Sequence, residues 1–291
     1  LMNRKGIILS GGKGTRLFPV TLALSKQLLP IYNKPMIYYP LSTMMSIGIK
    51  EILIITTPFD FDRFKFLLGD GSKWGINLHF KAQEKPNGIA EAFILAEKFI
   101  DKSPSALILG DNLFYGHDLS LRLRNFSKQT DGATVFAYPV KNPERYGIVN
   151  YNKEKKIISI EEKPIKPKSK HAVTGLYFYD KNVVKIAKSI NPSKRGELEI
   201  TDLNNIYLKE NKLEVCFLDN GDTWLDAGSN DTLMEASQFI KAIENRQGIM
   251  VSSPEETAWK NGWINDQQLE KLAKELSTNE YGNYLIKLIE K

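Results

Sequence analysis

The sequence predicts an α/β fold, a Rossmann-like doubly wound mixed sheet with a partly antiparallel extension and C-terminal helices. Three observations support this prediction. Short apolar, β-branched runs alternate with helix-like segments in the first half of the chain. Strand-like runs joined by short turns follow in the middle, and helical patterns dominate from about residue 229.

The first half contains four predicted strands, at residues 6–9, 51–57, 78–81 and 106–109. Four segments between or after them carry apolar residues at spacings of three and four, at residues 36–47, 60–68, 88–100 and 118–128. Strands that alternate with helices are typical of βαβ units. We therefore expect a mostly parallel sheet with helices on both faces.

The middle of the chain contains predicted strands at residues 133–140, 148–151, 157–162 and 173–179, and two more at 213–218 and 223–225. The short turns between them indicate antiparallel pairing. The last part indicates helices punctuated by Pro254, Gly262 and Gly282. The predicted organisation is one domain at 1–228, divided at about residue 130, followed by a helical cap at 229–291.

Composition excludes several classes of protein. The chain has 291 residues, a formal net charge of +6, 42% hydrophobic and 25% charged residues, which is typical of a soluble globular protein. A single Cys excludes an intramolecular disulfide and a Cys-ligated zinc site. No apolar run approaches the roughly 18 residues that span a bilayer, so we expect a cytoplasmic protein without a membrane partner. The basic stretch at 163–170 contains two prolines and no aromatic residue, so we expect a solvated loop and no nucleic-acid partner.

A glycine-rich turn follows the first predicted strand, with Gly11, Gly12 and Gly14 within four positions. Such a turn brings backbone N–H groups close to an anion. The dinucleotide fingerprint fails because Leu17 occupies the position of its third glycine, and the Walker pattern fails because Gly12 occupies the position of its lysine. Neither an NAD-dependent oxidoreductase nor a P-loop NTPase is therefore supported.

Two cations follow the turn, Arg16 and Lys26, and a guanidinium with a mobile ammonium suits a triphosphate. The segments GGKGTRLFPVT at 11–21 and SKQLLPIYNKPMIYYPLS at 25–42 resemble the sugar-1-phosphate nucleotidylyltransferase family. Within the family they are most similar to the enzymes that transfer a thymidylyl group from dTTP to glucose 1-phosphate. Further matching motifs follow in family order, at residues 83–92, 109–112, 144–147, 160–164, 195–202 and 223–228.

Two aspartates, Asp111 and Asp226, each close an apolar strand-like run. Alone, such an aspartate is more often a turn former or a helix N-cap. In open α/β sheets, however, ligands bind at the carboxyl ends of strands, so both carboxylates can face one site. Mg²⁺ needs one or two carboxylates besides phosphate oxygens and water. The resemblance places both residues on the metal-binding positions of the family.

The resemblance also implies roles for the remaining residues and a reaction. The residues that act on phosphates are Arg16, Lys26 and Lys163. The residues that contact the nucleotide are Gly11, Gly12, Gly14, Thr15, Gln83 and Gly88. The residues that contact the sugar are Leu109, Tyr146, Gly147, Glu162 and Val173, in a sugar-binding part at 131–228. The implied reaction is an Mg²⁺-dependent in-line attack of glucose 1-phosphate on dTTP by a homotetramer, at the start of dTDP-L-rhamnose or related deoxysugar synthesis.

Some alternatives stay open at this point. Thymine and uracil share the edge that Gln83 would bind, so use of UTP stays open. A UTP-dependent uridylyltransferase or a cytidylyltransferase is the main rival within the family. A catalytically silent nucleotide-sugar sensor is a second, although it would have no reason to retain both metal carboxylates. The chain departs from the family at Asn220, where an arginine of a second nucleotide site is usual. This departure weakens the expectation of feedback control.

Overall fold

The computed structural model describes residues 4–290, and a nine-stranded mixed sheet forms its centre. The strands are β1 (Lys5–Ser10), β2 (Pro30–Ile31), β3 (Lys34–Pro35), β4 (Glu51–Thr56), β5 (Asn77–Ala82), β6 (Ser105–Leu109), β7 (Asn112–Gly116), β8 (Ala133–Pro139), β9 (Gly147–Tyr151), β10 (Ile157–Glu162), β11 (His171–Tyr179), β12 (Leu213–Phe217) and β13 (Asp222–Asp226). The helices are α1 (Tyr38–Ser46), α2 (Phe61–Leu68), α3 (Glu91–Leu95), α4 (Glu97–Ile100), α5 (Leu119–Ser127), α6 (Val183–Ser189), α7 (Ile200–Lys209), α8 (Asn230–Gln247), α9 (Pro254–Lys260), α10 (Asp266–Glu275) and α11 (Glu280–Ile289).

The central sheet has the strand order β10-β9-β11-β6-β1-β4-β5, and β8 and β12 extend it from β11. Strand β1 is parallel to both β4 and β6, and β4 is parallel to β5. Strand β11 is antiparallel to β6, β8 and β9. Ala172 of β11 pairs with Tyr138 of β8 and Ile148 of β9, so these two strands lie on opposite edges of β11. The predicted fold class, a mixed sheet with an antiparallel extension, is confirmed.

The central strands are buried on both faces, which explains their unbroken apolar sequences. Adjacent residues of β1 enter different cores: Ile8 packs in one hydrophobic cluster and Ile7 in another, both 0% exposed. Leu107 and Ile108 of β6 divide in the same way. Because side chains alternate across a strand, each face needs its own layer of helices. Burying each of these side chains contributes roughly 1.5–3 kcal/mol.

Two predicted helices differ in their bounds. The predicted helix at 88–100 is two short helices, α3 and α4, and begins at Glu91. Ala90, just before this helix, is bonded to another segment of the chain, since its N–H donates to the carbonyl of Leu198 at 3.2 Å. Gly282, predicted to separate two helices, lies inside the first turn of α11, which the Asn279 side chain caps. That prediction is wrong because the cap is formed three residues earlier.

The C-terminal helices are locally well specified by their caps. Ser229 and Thr232 form a reciprocal capping box at the start of α8, and Asn265 and Gln268 form another at α10. Helix α8 packs on the small β2–β3 hairpin through a third hydrophobic cluster that includes Ile31 and Ile240. Within residues 4–290, no helix is both long and apolar enough to cross a membrane.

Candidate active site

The candidate site is a cleft of about 510 Å³ where the ends of β6, β10 and β13 meet. Nine predicted site residues line it: Arg16, Leu109, Asp111, Tyr146, Gly147, Glu162, Lys163, Val173 and Asp226. A larger cavity of about 800 Å³ between β10 and α7 contains none of them. We assign the site to the smaller cleft because acidic and basic side chains converge there, as is typical of active sites.

The glycine-rich turn lines a second cavity, of about 430 Å³, at the carboxyl end of β1. Gly11 and Gly12 lie on its wall together with Gln83, which follows β5. Gln83 is 4% exposed, and its Nε2 donates to Glu91 Oε2 at 2.6 Å. Since β1, β5 and β6 run parallel in one sheet, both cavities open at the same edge.

Three predicted nucleotide-binding residues line neither cavity. Gly14 has a φ of 63°, in the left-handed region that favours glycine, and Thr15 begins the 3₁₀ turn that carries Arg16. Gly88 has a φ of 107°, and a side chain there would collide with the backbone of Leu198. Packing against Leu198 therefore requires a glycine at position 88 whether or not a base approaches it.

The two aspartates are brought together by an antiparallel ribbon of β7 and β13, outside the central sheet. Asp226 pairs with Asn112, and the N–H of Ala227 donates to the carbonyl of Asp111 at 3.0 Å. Within residues 4–290, β13 pairs with β7 and not with the central sheet, and both carboxylates line the same cleft, as expected from the sequence. Burial, and then the negative charge of Asp111, raise the pKa of Asp226 above its usual range.

Lys26 is connected to the cleft by Asp111, which lines it: the Lys26 ammonium donates a hydrogen bond to Asp111 Oδ2. Burial opposes ionisation of Asp111, but the Lys26 ammonium holds the pKa of that carboxyl below its usual range. The backbone N–H of Ser25 donates to Asp60 Oδ1 at 3.0 Å and anchors the start of the 3₁₀ turn that carries Lys26. The carboxylate of Asp111 thus has a direct cationic partner.

The side of the cleft that is predicted to bind the sugar is built on β9 and β10. Glu162 accepts a hydrogen bond from Thr201 Oγ1 at 2.6 Å. Lys163 follows with a φ of 43°, unusual for a residue with a side chain, and its N–H donates to the carbonyl of Tyr146 at 3.0 Å. The Tyr146 ring meets Trp224 edge-on, with centroids 5.4 Å apart. These contacts hold the Lys163 backbone against the wall of the cleft.

Eight further residues line the cleft and were not predicted from the sequence: Ile89, Asn112, Arg145, Gly175, Tyr177, Ile200, Thr201 and Trp224. Asn112 is 2% exposed, and its Oδ1 accepts from Trp224 Nε1 at 2.6 Å and from the N–H of Gly175 at 3.0 Å. Gly175 and Tyr177 have a signal in the sequence, because they follow Val173 at the period of two that keeps residues on one face of a strand.

A known protein family has a model that matches most of this chain. A family model described as Nucleotidyl transferase matches residues 5–243. The chain belongs to this family. The match extends from β1 into α8, so it includes both cavities of this nucleotidyl transferase.

Individual relatives agree. A protein from Neisseria meningitidis serogroup A / serotype 4A, named glucose-1-phosphate thymidylyltransferase, is 53% identical over 99% of this nucleotidyl transferase and 100% of the relative. One of the same name from Mycobacterium tuberculosis (strain CDC 1551 / Oshkosh) is 50% identical over 99% of each chain. The predicted family and the predicted enzyme class, a nucleotidyltransferase, are confirmed.

Solved structures are also similar. A Bacillus anthracis crystal structure, whose name also carries glucose-1-phosphate thymidylyltransferase, has a TM-score of 0.75 and 42% identity, over 81% of this chain and 94% of the other. UDP-glucose pyrophosphorylase complexed with UDP-glucose has a TM-score of 0.72 over 83% of this chain and 99% of the other. At 23% identity, the second match supports the fold alone.

Proposed function

We propose that this nucleotidyl transferase transfers a thymidylyl group from dTTP to α-D-glucose 1-phosphate, giving dTDP-glucose and pyrophosphate. The observation that carries the proposal is the paired carboxylates Asp111 and Asp226, with Arg16, Lys26 and Lys163 at or beside the same cleft. Two carboxylates and three cations suit a reaction between two phosphate-bearing substrates. The names of the relatives at about 50% identity support the choice of substrates.

The proposed chemistry needs no nucleophile from the protein. An oxygen of the sugar phosphate, whose second pKa is about 6, attacks the α-phosphorus of dTTP. A new P–O bond forms as the bond to the bridging oxygen breaks, and its electron pair leaves with pyrophosphate. The protein contributes position and charge: Arg16 and Lys26 bind the triphosphate, and Lys163 binds the sugar phosphate.

Asp111 and Asp226 fit a magnesium ion. Their oxygen-only donor set suits a hard cation. The negative charge of Asp111 contributes to the raised pKa of Asp226, and a bound cation would offset this repulsion between the two carboxylates. Among residues 4–290 no group of three or more His, Cys, Asp or Glu side chains is placed to hold a metal. The remaining ligands would be phosphate oxygens and water. When bound, Mg²⁺ supplies neutralisation of phosphate charge.

A substrate panel tests the proposal. Pyrophosphate release is measured with dTTP, UTP and CTP at equal glucose 1-phosphate and Mg²⁺, and we expect the highest initial rate with dTTP. A higher rate with UTP would instead identify a uridylyltransferase. If no nucleotide releases pyrophosphate while dTDP-glucose still binds, the protein is a nucleotide-sugar sensor. Analytical ultracentrifugation of the same preparation tests the proposed homotetramer.

The boundary and pathway assignments are also proposals. We propose a catalytic domain at 1–228, with a nucleotide-binding part to about residue 130, a sugar-binding part at 131–228, and a helical cap at 229–291. The two cavities support the division, because the glycine-rich turn lines one and the β9–β10 region lines the other. The dTDP-glucose formed would enter dTDP-L-rhamnose or related deoxysugar synthesis, which coupling to the next enzyme in a cell extract tests.

Gly11→Ala should raise the KM for dTTP by roughly 10–100-fold, the equivalent of about 1–3 kcal/mol of overpacking. A Cβ at position 11 would overlap Gln83 Oε1, and the hydrogen bond from Gln83 to Glu91 limits the movement of the amide. Initial rates across dTTP concentrations measure the effect. In a double-mutant cycle with Gln83→Ala, the two losses should not add, since both act on one amide. Fully additive losses would contradict the explanation.

Lys163→Ala should raise the KM for glucose 1-phosphate about tenfold or more while changing the KM for dTTP much less, because one charged hydrogen bond is lost. The Lys163 side chain is 47% exposed, and its ion pair with Glu162, at 3.6 Å, is too long to contribute much stability. The fold should therefore be retained. A larger loss for dTTP than for glucose 1-phosphate would overturn the role given to Lys163.

A further inference from the structure

Lys34 belongs to the same sequence motif as Lys26 but points away from the cleft, into the contact between the β2–β3 hairpin and α8. Its side chain is 1% exposed, and its Nζ donates to Glu244 Oε1 at 2.8 Å and to Asn33 Oδ1 at 2.7 Å. Burial lowers the pKa of Lys34, and Glu244 opposes that effect. A lysine this deeply buried is uncommon and needs a paired charge.

Glu244 is just as fully bonded. Its Oε2 accepts from Asn33 Nδ2 at 2.7 Å, and its Oε1 also accepts from the N–H of Val251 at 2.9 Å. It lies one residue beyond the range that the family model matches. Replacing a buried ion pair by uncharged residues often costs no stability, whereas removing one partner costs a great deal. Stability alone therefore does not account for the pair.

Backbone hydrogen bonds connect the hairpin to the turn that carries Lys26. Lys34 pairs with Ile31 across the hairpin. The N–H of Ile37 donates to the carbonyl of Gln27, and the N–H of Met36 donates to that of Leu29, both at 2.9 Å. These bonds join the hairpin and the start of α1 directly to Gln27, the residue next to Lys26.

The other side of that turn is packed just as closely. Gln27 is 2% exposed, its Oε1 accepts from Ser25 Oγ at 2.6 Å, and a side chain at Gly110 would meet its Cγ at 2.9 Å. The turn is therefore held between the end of β6, which leads to Asp111, and the hairpin.

We propose that the buried Lys34–Glu244 ion pair positions Lys26, so that helix α8 takes part in catalysis without contacting either substrate. Lys34 and Glu244 are then positioning residues, and their directional hydrogen bonds set the hairpin on α8 more narrowly than apolar packing would. The inference rests on the proposed function, in which Lys26 binds the triphosphate.

Three variants separate positioning from stability: Lys34→Met, Glu244→Gln and the double variant. Lys34→Met leaves the Glu244 carboxylate buried without its cation, so its Tm should fall by several degrees. The double variant removes both charges and keeps an acceptor for Val251, so its Tm should return to near the wild-type value. Its kcat should nevertheless stay about tenfold below wild type, with the KM for glucose 1-phosphate unchanged. Recovery of kcat together with Tm would overturn the proposal.

A cycle with Lys26→Met tests whether the effect passes through Lys26. In that background the Lys34→Met/Glu244→Gln pair should lower kcat less than twofold, because the group it positions is gone. A further tenfold loss would overturn the proposal. Titration of wild type and each variant with dTTP gives a second readout, in which the double variant should bind several-fold more weakly. If wild type releases no pyrophosphate with any nucleotide, the proposed function fails, and this titration still tests the positioning.

Two controls bracket the expected effects. Lys274→Met removes an exposed ion pair of α10, with Glu270 at 2.6 Å, and should change neither Tm nor kcat. Tyr207→Phe removes a buried hydrogen bond to Asp180, at 2.8 Å, in a different hydrophobic cluster from that of the hairpin. It should lower Tm while leaving kcat unchanged, which would show that loss of stability alone does not slow turnover. A tenfold loss of kcat in Tyr207→Phe would overturn the assignment to positioning.

Discussion

Asp226→Asn is expected to lower turnover by about 100-fold or more, the scale on which removal of one electrostatic group from an active site acts. The variant keeps the shape of the side chain and removes one of two carboxylates that fit the proposed metal. Pyrophosphate release is measured across Mg²⁺ concentrations, because a weakened site would need more metal. Turnover equal to wild type at every concentration would refute the metal role of Asp226.

The same variant should be at least as stable as wild type. Burial and repulsion from the negative charge of Asp111 raise the pKa of Asp226, so folding disfavours the ionised form of this carboxylate. An uncharged amide removes that repulsion. With a chelator present, the Tm of Asp226→Asn should equal or exceed that of wild type. Asp231→Asn, on the exposed first turn of α8, is the control and should change Tm and turnover very little.

Lys26→Met should also lower turnover by about 100-fold, but with the opposite effect on stability. Lys26 and Asp111 form an ion pair whose side chains are 13% and 11% exposed. Removing the ammonium leaves the Asp111 carboxylate without its direct partner. Breaking a fully buried pair costs about 3–5 kcal/mol, and we expect roughly half of that here because the residual exposure screens the charges. The Tm should fall by about 2–4 °C for each kcal/mol.

Thermal unfolding and initial rates of the Lys26 variant are measured side by side with those of Asp226→Asn. Lys26→Arg is the matched variant: it keeps the charge, so it should recover Tm more fully than turnover, since a guanidinium fork does not place its donors where an ammonium does. A higher Tm for Lys26→Met than for wild type would contradict the ion pair. Equal recovery of both quantities in Lys26→Arg would show that charge alone matters.

Much of the fold could be predicted because residues that are close together in the sequence determine many of its strands and helices. The predicted strand at 157–162 has the bounds of β10, Ile157–Glu162, and the caps of α8 and α10 are formed by side chains at fixed spacing. Strand β7 was missed because only Gly110 and Asp111 separate Asn112–Gly116 from the end of β6. Its partner, β13, lies more than a hundred residues away, and no local pattern records such pairing.

The candidate site was likewise predicted only in part from the sequence. The motifs identified the residue types and the family, and the structure places nine of the predicted residues around one cleft. Asn112 was missed, although it belongs to a matching motif, because its importance lies in two hydrogen bonds to distant segments. Gly88 was predicted for a reason that involves a ligand, whereas contact with the Leu198 backbone already requires it.

The sequence by itself determined the fold class, the family, and the presence of a glycine-rich turn with two cations and two aspartates. Only the tertiary structure decided where equivalent residue types go. Lys26 and Lys34 stand in one motif, yet one reaches Asp111 in the cleft and the other is buried against Glu244. The physical reason is that dihedral preference and periodicity act between neighbours in the chain. The burial and pairing of a charge depend instead on side chains that meet only when the chain has folded.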